Sequence, residues 1–138
     1  MRVAVYTDGA ARGNPGISAS GFIVLEGERT IKKMVRYNGV HTNNYAEYMA
    51  IIIALRWCEA NLESNTEVEL FSDSELVVKQ INGLYKVKSE QLSKMHAVVK
   101  EAVRKIGKVS FANLSRESGM IVKVDKELNI FLDSKMKR

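Results

Sequence analysis

Four carboxylates stand in this chain where a charged group is costly or awkward: Asp8, Glu47, Asp73 and Asp125. Asp8 ends the strand-like run Met1-Arg2-Val3-Ala4-Val5-Tyr6-Thr7 and is followed at once by a glycine-rich turn. Glu47 shares the apolar face of a helix with Ala50, Ile51, Ala54 and Cys58, all at helical spacing from it. Asp73 closes a second strand, Val68 to Ser72, and Asp125 lies on one face with Leu128 and Leu132. Desolvation disfavours an unpaired carboxylate on a surface that packs inward. Several such groups meeting at one point are best explained by a cation between them, so a metal site is the leading reading.

The elements that must bring them together follow from the period of the apolar residues. Val3–Asp8, Ser18–Leu25 and Thr30–Asn38 read as strands, the last two joined in a hairpin through Glu26-Gly27-Glu28-Arg29. The period becomes helical from Asn43 to Asn61. Glu67–Ser72 returns to a strand, Ser74–Ile81 and Ser89–Ile106 are helices stopped at Asn82-Gly83 and Gly107, Lys108–Leu114 is the last strand, and Val124–Ser134 a closing helix. Strands on both sides of a helix require a parallel crossover, hence a mixed α/β sheet. Neighbouring parallel strands would set Asp8 and Asp73 at adjacent carboxyl ends, where such sheets bind ligands.

A chain of 138 residues, 46% hydrophobic and 27% charged, fits one folded domain over residues 1–138. No apolar run reaches the roughly 20 residues that a membrane helix needs, and the start of the chain has no signal-peptide pattern. Cys58 is the only cysteine, so a reducing cytoplasm is the expected setting. The net charge is +5, and its distribution is uneven. Residues 79–108 hold eight Lys or Arg against Glu90 and Glu101, whereas residues 59–69 carry only acids. Charge alone leaves two readings open, a groove for a polyanion or a solvated helix face.

Each acidic position also has a purely local reading. Asn44-Tyr45-Ala46-Glu47 matches a capping box with Asn44 as N-cap, and Ser72-Asp73-Ser74-Glu75 matches another. Asp125 is placed where it could cap the closing helix. The Gly9 to Gly16 segment is strong turn chemistry; read functionally, Gly9 and Gly13 clear side chains from the path of a phosphodiester. His41 and His96 lie apart, and nothing marks either as a zinc ligand.

Taken together, Thr7-Asp8-Gly9, Arg12-Gly13-Asn14-Pro15-Gly16, Thr42-Asn43-Asn44-x-Ala46-Glu47, Ser72-Asp73-Ser74 and Asn82-Gly83-x-Tyr85-Lys86-Val87-Lys88 resemble ribonuclease H of type I, in the compact form without a basic protrusion. The resemblance implies a five-stranded mixed sheet with its first three strands antiparallel and helices on both faces. It implies cleavage of the RNA strand of RNA/DNA hybrids to 5′-phosphate and 3′-hydroxyl ends, by a monomer with two Mg²⁺ or Mn²⁺ ions on Asp8, Glu47, Asp73 and Asp125. Substrate contacts carry over to Gly9, Arg12, Asn14, Asn43, Asn44, Gln80, Lys86 and Lys88. The motif before Asp125 departs from the family: an asparagine is missing, the loop is longer by about two residues, and no histidine is present. Arg116 or Glu117 would then assist product departure, and a hybrid-binding module with impaired catalysis is the alternative.

Overall fold

Val3 and Val5 bury on one face of the first strand while Tyr6 and Ala10 pack on the other, the two-residue period of a strand covered on both sides. That strand, β1 (Arg2–Gly13), pairs antiparallel with β2 (Gly16–Glu26), which pairs antiparallel with β3 (Arg29–His41). On its other edge β1 runs parallel to β4 (Glu67–Ser72), and β4 runs parallel to β5 (Lys108–Asn113). The computed structural model, which describes residues 1–136, therefore contains the expected mixed five-stranded sheet, in the order β3-β2-β1-β4-β5.

Helices α1 (Asn43–Asn61), α2 (Glu75–Ile81) and α3 (Glu90–Ile106) form the layer on one face, and α4 (Gly119–Met136) covers the other. The α1 helix is central: Ile51, Ala54, Leu55 and Cys58 are buried with Val5, Phe22, Leu70 and Val99. Val124, Leu128 and Leu132 of α4 close a second, smaller core over Ala19 and Ile23. Among the described residues, no helix is long and apolar enough to cross a membrane.

Several boundaries depart from the expectations. The first strand does not stop at Asp8 but continues through Gly13, because Gly9 to Gly13 pair with Gly16 to Ser20; inter-strand hydrogen bonds override turn-rich composition. Gly13, at φ +118°, makes the tight reversal into β2. The closing helix starts at Gly119, five residues before Val124. Burial of Ile121 and Val124 outweighs the β-branched residues and the glycine at its start. The capping assignments also move. Thr42 and Ser74, rather than Asn44 and Ser72, are the N-caps of α1 and α2, accepting from the amides of Tyr45 and Val77. Glu47 and Asp73 are thereby free of capping, and Asp125, well inside α4, is no N-cap.

Candidate active site

The last parallel pair between β1 and β4 is Thr7 with Ser72. Beyond it the two strands part, and the next residue of each, Asp8 and Asp73, emerges at the same edge. The third carboxylate comes from α1. An added Cβ at Gly9 would lie 2.2 Å from the Ala46 carbonyl carbon and 2.4 Å from the Glu47 nitrogen, so strand and helix backbones touch there. Gly9 therefore makes room for α1, and it also lines the cleft into which the acids open. The Gly9 amide donates to Asp8 Oδ1 at 3.0 Å and to Glu47 Oε1, and the Ser72 hydroxyl donates to Glu47 Oε2 at 3.4 Å.

Asp8, Glu47 and Asp73 each offer a carboxylate oxygen within 4.8 Å of the others. Asp8 is 4% exposed and Glu47 6%. Burial first, then the charges of Glu47 and Asp73, hold the Asp8 carboxyl far above the ordinary carboxylate range. Glu47 is raised by burial and by Asp73, against the lowering effect of its hydrogen bonds with Asp8 and Gly9. Asp8 Oδ2 is buried with no hydrogen-bond partner among the described residues. An all-oxygen donor set, crowded and with one orphaned oxygen, fits a hard divalent cation. Arg116 Nε lies 3.2 Å from Asp73 Oδ2, with its side chain 81% exposed.

The same cleft, of about 390 Å³, is lined by Asp125, Asn43, Asn44 and Arg116 as well as the three acids. Asp125 stands outside the trio, yet its charge adds to the elevation of Asp8. The other expected site residues divide. Asn43 Oδ1 accepts from the Ala11 amide at 3.0 Å and Asn14 Oδ1 from the Asn43 amide at 3.1 Å. Their oxygens are thus taken by main chain, and their NH₂ groups are the ends left for a ligand. Arg12 turns to α4, donating to Asp133 and Asn129. Gln80 is buried, accepts from the Tyr48 hydroxyl at 2.7 Å and donates to the Lys86 carbonyl at 3.4 Å. Lys86 and Lys88 border a neighbouring groove of about 540 Å³ with Leu84 and Tyr85. Glu117 is exposed and pairs locally with Ser115.

The basic residues of this segment occupy two different settings. Lys79, Lys94, Arg104 and Lys105 pair with Glu75, Glu90, Glu101 and Glu59, as solvated helix surfaces do, while Lys86 and Lys88 face the groove. Two contributors escaped the sequence reading. Ser72, assigned to a cap, contacts Glu47, and Asn129 donates to Asp125 Oδ2 at 3.1 Å. The second carried a signal, since an Asp and an Asn four residues apart on a helix are neighbours.

The family model described as RNase H matches residues 1–124. The chain is 31% identical over 113 residues to the bifunctional protein Rv2228c of Mycobacterium tuberculosis, covering 80% of this chain and 30% of that one. It is 39% identical over 109 residues to ribonuclease HI of Halobacterium salinarum, covering 72% of this chain and 50% of that protein. It thus spans 30% to 50% of the length of these curated relatives. Among solved structures, LC11-RNase H1 in complex with an RNA/DNA hybrid superposes with a TM-score of 0.90 at 32% identity, covering 98% of this chain and 99% of that one.

Proposed function

The chain belongs to the RNase H family, and on that premise we propose that its acidic cleft hydrolyses the RNA strand of RNA/DNA hybrids, leaving 5′-phosphate and 3′-hydroxyl ends. The observation that carries the proposal is the convergence of Asp8, Glu47 and Asp73 within 4.8 Å, beside a buried carboxylate oxygen with no partner among the described residues. Divalent cations, two Mg²⁺ or Mn²⁺ in this reading, supply Lewis-acid activation of water and stabilisation of the leaving oxygen. Asp8, Glu47 and Asp73 hold them, with Asp125 as the fourth ligand.

The NH₂ groups of Asn14 and Asn43, with Asn44 on the cleft wall, meet the 2′-hydroxyls that mark an RNA strand. Lys86 and Lys88 meet phosphates of the other strand across the groove, without reading sequence. Of the two residues expected to help product leave, Arg116 is the one that lines the cleft. All four carboxylates come from one chain, so a monomer acting as a single catalytic domain suffices. A single cysteine, Cys58, with no partner for an intrachain disulfide, suits a reducing compartment such as the cytoplasm.

The test is cleavage of an end-labelled hybrid with Mg²⁺, with Mn²⁺ and with EDTA. We expect cleavage with either metal and none with EDTA. Asp8→Asn and Asp73→Asn should each abolish it while circular dichroism and hybrid binding persist. Cleavage that survives either substitution overturns the assignment, and a wild-type chain that binds hybrid without cutting it identifies the impaired module.

A further inference from the structure

Asp8, Ala10 and Arg12 alternate with Gly9 and Ala11 along β1, and so point to the face that α4 covers. On α4, Asp125, Asn129 and Asp133 recur every four residues and form a stripe along one side. The two rows meet in register, Asp8 with Asp125 in the cleft and Arg12 with Asn129 and Asp133 beyond it. Arg12 Nη1 donates to Asp133 Oδ1 at 2.7 Å, and Nη2 donates to Asn129 Oδ1 at 2.9 Å and to the Asn129 carbonyl at 3.2 Å. Asn129 Nδ2 donates onward to Asp125 Oδ2 at 3.1 Å and to the Asp125 carbonyl at 3.0 Å. Although it was expected to touch substrate, Arg12 is only 26% exposed at its side chain.

The chemistry of these groups fixes the direction of the chain of bonds. A guanidinium only donates, so the face of the Asn129 carboxamide toward Arg12 must be its oxygen. Its NH₂ then has to face Asp125, an acceptor. A neutral amide can hold a carboxylate in one orientation without neutralising it, which a cation in that place would do. The charge of Arg12 stays one residue removed from the metal-binding end of Asp125.

We propose that Arg12 and Asn129 form a positioning relay that aims the Asp125 carboxylate into the acidic cleft, and that Arg12 serves this relay rather than the nucleic acid. The inference rests on the reading of the cleft as a divalent-metal centre. Metal sites depend on such outer partners, whose loss typically costs about 10- to 100-fold in metal affinity.

Calorimetric titration with Mn²⁺, without substrate, tests it. Asn129→Ala and Arg12→Met should each weaken Mn²⁺ affinity by about ten-fold or more, and the double variant should be no weaker than Asn129→Ala alone, because residues acting in series are not additive. Arg12→Lys, which still only donates, should keep most of the affinity and guards against a misfolded Arg12→Met. The salt dependence of hybrid binding should be the same in all of them. Unchanged Mn²⁺ affinity, strictly additive losses, or a salt slope lowered by about one in Arg12→Met, the mark of a phosphate contact, overturns the relay. A wild-type chain that binds no Mn²⁺ overturns the metal-centre reading itself, and the relay with it; a wild type that binds Mn²⁺ normally confines any failure to the relay.

Discussion

Asp8 and Glu47 are carboxylates that the folded chain makes hard to ionise, since burial and their neighbours raise both. The sign of the consequence follows from proton linkage. Above the ordinary carboxylate pKa of about 4, the unfolded chain has shed protons that the metal-free native state retains. Stability then falls as pH rises through that interval toward the elevated native values. A divalent cation bound by these oxygens displaces the same protons, so its stabilising effect must grow as pH rises. Scanning calorimetry at pH 5, 6, 7 and 8 should show Tm falling with pH without metal, and an increment from saturating Mg²⁺ that widens from pH 5 to 8. Asp8→Asn should flatten the metal-free decline and reduce the increment. A metal-free Tm in Asp8→Asn that declines as steeply as in wild type would mean that other groups set the slope.

The contact of β1 with α1 is what brings Glu47 to Asp8, and it depends on one missing side chain. A methyl at Gly9 meets main-chain atoms of Ala46 and Glu47 at 2.2–2.4 Å, which no rotamer change relieves. Overpacking typically costs about 1–3 kcal/mol, and the rigidity of the obstacle places Gly9→Ala at the upper end. Urea denaturation should register that loss, and hybrid cleavage should fall with it because Glu47 is displaced; wild-type stability in Gly9→Ala would show that β1 and α1 separate at little cost. The order of elements was legible because each buries a face with its own period, as was the expectation that the neighbouring parallel strands β1 and β4 bring Asp8 and Asp73 to one edge. Where β1 ends and where α4 begins were not legible. Gly9 to Gly13 read as a turn until β2 is there to pair with them, and residues 119–123 lack a helix-start signal until Ile121 has a core to enter. Likewise the carboxylates declared themselves by type and position, whereas the Arg12 contact to Asn129 spans 117 residues of sequence and exists only once α4 lies over β1.

Across the whole molecule, a net charge of +5 would by itself draw any polyanion, but the cations are not equivalent. Lys86 and Lys88 border the groove beside the acidic cleft, just ahead of the Ser89 cap of α3. Arg104 sits on the same helix fifteen residues further on, about 22 Å along the axis at 1.5 Å per residue, and is paired with Glu101. That separation exceeds twice the Debye length of about 8 Å at physiological ionic strength. A phosphate held at the groove is therefore felt by Lys86 and screened from Arg104. Each phosphate neutralised on a duplex contributes about 0.9 to the slope of log affinity against log salt. Lys86→Ala should accordingly lower that slope for hybrid binding by about one, and Arg104→Ala should leave it unchanged although both remove one positive charge. Fluorescence anisotropy of a labelled hybrid over a series of salt concentrations measures both. Equal losses from the two substitutions would make the attraction a property of total charge, and a loss from Arg104→Ala alone would shift the path of the nucleic acid along α3, away from Lys86 and the groove it borders.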